Sequence, residues 1–590
     1  MQEVSLTNTS EHDVSTFDIM IDDKAIDAEY QVMSVSVTKE INRIPVALIM
    51  LRDGEAAQKT FAISTKNDFI PGQKINVKVG RDSKNTQVFK GVIVRHAIKV
   101  RNNGQSELQL ECYDETVRMT TGRHSRYYEN MKDSAVFDEI GRKYEGLKTQ
   151  VKNTTLKHRQ LVQHHITDWD FILLRAEANG MLVNVNDGVI SIDKPNTNAK
   201  PTIQVSYGSS VIELEAEMDA RTQWKEVDAA SWDLANQKLF KANAVSSAVT
   251  ELGNLTGDQL SKVTSPDNYE LHHSGYLLQQ ELQDWADGTM MRSRLGKIRG
   301  RAKFFGATEI KPGDVVQLDG VGDRFNGKAY VTSVRHDLGN GMWDTFIQFG
   351  IDPERYACTF ADMADPDAAG LVGAIKGLQI GKVVQLQNDP DGQNRILVRV
   401  PVIDEKARGT WMRVASLDAG KDRGAYFRPE IDDEVIVGFI NQDPRDAVVL
   451  GMLHSSAKPS PITEKDVNHE KGFTTRSKMH IHFNDDTKTI TVDTPAGNSI
   501  VLDEKGKTIK LKDQNNNTIT MKPEGIKIDS SKNIDISAGV NLTLKAGAQL
   551  KIGALTLSIK ADGNVSVEGA MAKLAGQGIT EITGSLVKIN

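Results

Sequence analysis

Apolar and polar residues alternate one for one through much of residues 15 to about 120. Ile75, Val77 and Val79 share one face of a strand, Leu108, Leu110 and Cys112 share another, and a further run covers Phe89 to Val94. Pro71 with Gly72, and the Asn, Asn, Gly of residues 102–104, supply turn chemistry between these runs. The period then changes. Val136, Ile140 and Tyr144 recur every fourth residue behind Asp133 and Ser134, which predicts a helix capped at that pair. A second helix is predicted from Thr167 to Gly180, with Thr167 as cap and Asp170 at the capping-box position. Trp169, Ile172, Leu173 and Ala176 form its apolar face, and Asn179 with Gly180 suits a left-handed stop. Residues 200–350 return to short strands. Residues 361–373 are small and acidic and read as a linker. Residues 374–455 carry strands near 379–386, 395–400, 411–415, 434–440 and 447–453, a pattern that suits an OB-type barrel or a simple sandwich.

The C-terminal hundred residues follow another rule. From Asn484 to Asn590 there is no Phe, Tyr, Trp or Cys. Aliphatic residues come in i, i+2 pairs: Ile490/Val492, Ile500/Leu502, Ile509/Leu511, Ile519/Met521, Ile526/Ile528, Ile534/Ile536, Leu542/Leu544, Leu550/Ile552, Leu557/Ile559 and Val565/Val567. Steps between first members are 10, 9, 10, 7, 8, 8, 8, 7 and 8, with Gly539, Gly547, Gly563 and Gly569 between pairs. Each pair gives one short strand two inward side chains, and glycine permits the corners. Strands this short and this narrow close a core most simply when three chains each supply one wall of a prism. A single-chain solenoid or a meander is the alternative.

Composition narrows the function classes. Lys and Arg number 72 against 79 Asp and Glu, a formal charge of −7, without a long basic run, so nucleic-acid binding is not expected. Two cysteines, Cys112 and Cys358, exclude a disulfide scaffold and suit a reducing cytoplasm. Neither a signal peptide nor a membrane helix is expected. His480 and His482 stand at i, i+2, so both imidazoles face one side. Rings of them about a threefold axis are weak candidates for binding a metal, with plain polar packing as the alternative. The pairs His164, His165 and His272, His273 point to opposite strand faces and cannot converge on one ion. The basic stretch from Arg292 to Arg301 would either line a lumen, meet an acidic partner, or form a solvated face. No hydrolase, P-loop or thiol-redox motif is present, so no catalytic residue, cofactor or enzymatic activity is expected.

Several segments together resemble the VgrG family, the spikes of type VI secretion systems, and the equivalent spikes of extracellular contractile injection particles. They are His164 to Gly180 and Ser125 to Glu129, running on to Ile140, in the hub, and Gly381 to Gln385, Asn388 to Gly392, Ile396 to Pro401, Trp411 to Ser416, Pro429 to Asn441 and Pro444 to Leu453 in the neck. Thr475 to Asp485 resembles the lead-in to the needle. The resemblance implies a mainly β protein with some α. Residues 1–370 would be a hub of two tube-like β-barrels with helices, 371–457 an OB-fold neck, 458–484 a linker, and 485–590 a trimeric intertwined β-helix needle. It further implies a homotrimer that caps an Hcp-like inner tube, meets baseplate proteins, carries effector cargo and touches the target membrane mechanically. A PAAR-type tip protein would sit on Leu586, Val587, Lys588, Ile589 and Asn590. Such a spike would be built in the bacterial cytoplasm and leave within the particle. Two departures from relatives are expected: residues 456–484 are too few for a lysozyme domain, and the repeat runs to Asn590 without an effector domain. A trimeric β-helical adhesin or tail-fibre protein is the competing reading.

Overall fold

The computed structural model describes residues 14–101, 106–245, 248–264 and 268–589. The turn read at residues 102–104 lies outside them. The chain divides into two units, one up to Gly451 and one from Met452 onward.

In the first unit the period-two alternation becomes a sheet of thirteen strands. Strands Val32–Glu40 and Val46–Arg52 pair antiparallel, with Val35 opposite Ile49 and Val37 opposite Ala47. These side chains join Ile75, Val77, Val79, Leu108, Leu110 and Cys112 in one core. A second core gathers Val205, Ala302, Phe304, Leu318, Ile347 and Phe349. The two meet at strand Gly327–Gly339, which pairs with Met342–Phe349 on one side and with Val32–Glu40 on the other. Ser36 Oγ donates to Asp337 Oδ1 at 2.6 Å across that seam. The two barrels expected in the hub thus take the form of two cores served by one continuous sheet.

Helix Asp168–Ala178 begins as the sequence dictates. Thr167 Oγ1 accepts from the Asp170 N–H at 3.0 Å, and Trp169, Ile172, Leu173 and Ala176 are buried. Gly180 takes φ +63°. A Cβ there would lie 3.1 Å from the Gly288 Cα, so glycine also admits helix Gln279–Leu295. Helix Asp133–Gly141 begins differently. Lys132 is its N-cap residue, without a side-chain cap bond. Asp133 is instead buried and turned inward, where it receives Arg175 Nε at 2.7 Å and Asn179 Nδ2 at 3.0 Å, and His158 Nε2 lies 2.8 Å away. Burial alone would raise the Asp133 carboxyl, but these hydrogen bonds and the Arg175 charge outweigh it and hold the group well below the usual carboxylate range.

Two surface readings are corrected. Residues 361–373 are not a free linker over their whole length. Arg123 donates to the carbonyls of Asp362 and Met363 at 2.7 and 2.6 Å and pairs with Asp365 at 3.2 Å, and Met363 is buried in the helical core. Small acidic residues cannot build a core of their own, yet a distant arginine can still anchor them. The stretch from Arg292 to Arg301 is divided: its first part is an internal ion-pair network, and its end, Arg299 and Arg301, is the solvated face that the sequence allowed. Arg292, Arg294 and Lys297 are buried. They pair with Glu177 at 3.3 Å, Asp258 at 2.6 Å and Glu251 at 2.6 Å. Arg299 and Arg301 pair across strands with Glu217 and Glu215.

Strands Gln379–Gln385, Ile396–Arg399, Thr410–Val414, Glu434–Phe439 and Ala447–Met452 close a barrel. Val383, Ile396, Val398, Met412, Val435 and Val437 fill it. The OB-type alternative is therefore the one realised, and the sandwich is not.

Candidate functional site: an uncovered aliphatic face

The second unit opens as a seven-stranded antiparallel sheet running from Glu470–Thr474 and His480–Asn484 to Gly525–Asp529. Part of the stretch read as a linker, residues 470–484, is therefore already sheet. The longer steps in the repeat explain the topology. Strands Thr489–Asp493, Ser499–Asp503, Thr508–Lys512 and Thr518–Lys522 each hold five residues, and the residues between them make hairpin turns. The meander alternative is thus the arrangement of residues 470–529.

Register sets apolar on apolar. Val492 faces Ile500, Ile500 faces Leu511, Leu511 faces Ile519, and Ile519 faces Ile528. A second row runs Phe483, Ile490, Leu502, Ile509, Met521, Ile526. A slip of one residue would turn both rows to the other face, so the i, i+2 pairs fix the pairing. None of the described residues covers these rows: every member is at least 36% exposed. A groove of about 630 Å³ lies along the first row, floored by Val492, Ile500, Leu511, Ile519, Ile528 and Ile534.

Beyond Asp529 the pairs continue but the strands do not. Residues 530–589 contain neither helix nor strand. Ile534, Ile536, Leu542, Leu544, Leu550, Ile552, Leu557, Ile559, Val565 and Val567, the expected needle core, are each more than 50% exposed. One chain does not bury them, because its own neighbours offer neither backbone partners nor cover. A single-chain solenoid would have to supply both. Leu586, Val587, Lys588 and Ile589 are exposed as well, and Asn590 lies outside the described residues.

The histidines do not support a metal ring. Ile481, between His480 and His482, stands opposite Val492 and so belongs to the aliphatic face. The imidazoles point to the other side, away from any axis that the aliphatic rows would enclose. His480 Nδ1 lies 3.2 Å from Asp493 Oδ1, and His482 Nε2 is buried without a hydrogen-bond partner. Among the described residues no group of three or more His, Cys, Asp or Glu is placed to hold a metal. His165 sits at a β-bulge with φ +45° and pairs with Asp365, and His272 pairs with Glu270 at 3.0 Å. Among the described residues no helix is long and apolar enough to cross a membrane.

Comparison with known proteins follows the same division. Residues 379–454 match the type VI secretion system/phage-baseplate injector OB domain. Residues 489–556 match the phage baseplate V C-terminal trimerisation domain, a stretch that includes most of the uncovered ladder. A search of the curated proteins finds no match. Among solved structures, the 43 kDa tail protein of prophage MuSo2 from Shewanella oneidensis aligns at 10% identity and TM-score 0.45, covering 57% of this chain and 98% of that one. The Escherichia coli c3393 protein, described as a type VI secretion component, aligns at 12% and 0.35, covering 74% and 99%. A half-lidded Francisella PdpA-VgrG complex aligns at 9% and 0.39, covering 88% of each chain. The chain thus carries a closed barrel of the type VI secretion system/phage-baseplate injector OB kind, followed by a segment similar to the phage baseplate V C-terminal trimerisation domain. The chain belongs to the family of the Alg8 N-terminal domain, whose model matches residues 11–340, more than half of its length.

Proposed function

We propose that three copies of this chain form the central spike of a contractile injection machine. The observation that carries this reading is the two-row aliphatic ladder, left open by its own chain within a segment that matches a trimerisation domain. Three such sheets packed face to face would give each half-exposed aliphatic side chain about 1 kcal/mol more of burial. Residues 530–589 would then wind with their counterparts into a needle whose strands pair between chains. The hub caps an Hcp-like inner tube and meets the baseplate, and the needle end carries a PAAR-type tip. Sheath contraction drives the assembly, with effector cargo, through a target envelope. The work is mechanical: no catalytic step, cofactor or nucleic acid is assigned. The protein is made in the bacterial cytoplasm and leaves as part of the particle.

Removal of residues 580–590 tests the tip contact. The truncated chain is expected to keep its trimeric mass and to lose the tip protein on co-purification from cells that produce the whole machine. Undiminished co-purification of the tip would refute that assignment.

A further inference from the structure

The first unit holds a cleft of about 320 Å³, and arginines from three parts of the chain line it. Arg43 follows strand Val32–Glu40, Arg292 lies in the last turn of helix Gln279–Leu295, and Arg299 stands on strand Ile298–Phe305. Arg292 is buried and fixed in place. It donates to the carbonyls of Asp352, at 2.9 Å, and of Glu354, and pairs with Glu177 at 3.3 Å. Arg299 pairs with Glu217 at 3.1 Å. Yet Arg292 Nε and Arg299 Nε are both buried without an acceptor. The Arg43 guanidinium lies 4.4 Å from the centre of the Phe360 ring and makes no ion pair among the described residues. The acids of the cleft do not complete the set. Asp352 accepts the Glu354 N–H at 3.0 Å and comes no nearer to Arg299 than 4.0 Å. Burial pushes the Glu40 carboxyl up despite the nearby Arg43, so Glu40 is a poor counter-ion. Buried donors without acceptors are rare in folded proteins, and these mark a wall that is short of oxygens.

We propose that this cleft binds a small organic polycarboxylate. A guanidinium is met best by the two oxygens of one carboxylate, in a planar fork. Arg43 is set up for this. Stacking on Phe360 engages the face of its guanidinium and leaves the N–H edge for a ligand. Size decides the rest. A bare ion or a single phosphate fills little of a cleft whose volume is that of a small-molecule site, and arginines on separate elements suit a solute with more than one carboxylate. Gln348 and Thr332 on the same wall supply neutral hydrogen-bonding groups for the body of the solute. The site lies within the first unit and does not depend on association of the chain.

Isothermal titration calorimetry of the full-length protein with citrate, against sodium chloride of equal ionic strength, tests the assignment. Saturable binding of one citrate per chain is expected, with inorganic phosphate weaker by about tenfold. Arg43→Gln, at an exposed position, should keep the fold and weaken citrate by about tenfold, the loss of one charge-assisted pair. Phe360→Leu, which keeps an apolar side chain but removes the ring under Arg43, should weaken citrate in the same direction. Heat no greater than that of chloride, phosphate as tight as citrate, or citrate affinity unchanged in Arg43→Gln would overturn the proposal.

Discussion

Leu542→Asp combined with Leu544→Asp is expected to abolish the trimer. Both residues are exposed in the single chain, so the substitutions cost nothing before association. On association, threefold symmetry would place six carboxylates in an aliphatic prism. Each unpaired buried charge costs several kcal/mol even after relaxation, more than the burial of the native leucines contributes. The hub and barrel, which have cores of their own, should keep their fold. Light scattering should report the single-chain mass with native-like strand content. Trimers of normal mass and heat resistance would show that these side chains do not face a shared core.

Asp133→Ala is expected to loosen the helical lobe of the hub by about 3–5 kcal/mol, since it leaves a buried histidine and a partly buried arginine without their shared carboxylate. Arg175 would retain Glu281 at 3.1 Å, which sets the lower end of that range. Hydrogen exchange across helix Asp168–Ala178 reads the loss directly. The pH dependence has a definite sign. The Asp133 carboxyl is held below its unfolded value of about 3.9. Its contribution is therefore complete above that pH and is lost as the pH falls towards the folded value. The gap between the native chain and Asp133→Asn should be constant from pH 7 to about 5 and narrow below about 4. A gap that widens with acid would contradict the assignment.

What the sequence disclosed follows from how local each signal is. Barrel strands could be placed within a residue or two, because Val383, Val398 and Val437 alternate with outward residues and are bounded by turns. Thr167 and Gly180 marked the ends of their helix by cap and stop chemistry that depends on adjacent residues alone. Asp133 misled for the opposite reason. An acid before a helical run has the look of a cap, and its true partners, His158, Arg175 and Asn179, lie on elements that only the fold brings together. The same holds for Lys297, whose carboxylate partner Glu251 is remote in sequence. The aliphatic pairs were plain in the sequence, and so was the narrowing of their step from 10 to 8. What that change means needed the structure: within-chain hairpins end at Asp529, near where the step settles. The histidine pair was placed on one face correctly. Only the register of Ile481 with Val492 shows which face that is.

The central claim is that this chain completes its C-terminal core by threefold association. The most direct measurement is the solution mass of the purified full-length protein by light scattering. Three copies of the 65.0 kDa chain, about 195 kDa, are the predicted result. A stable species of 65.0 kDa that keeps the C-terminal strands protected would contradict it.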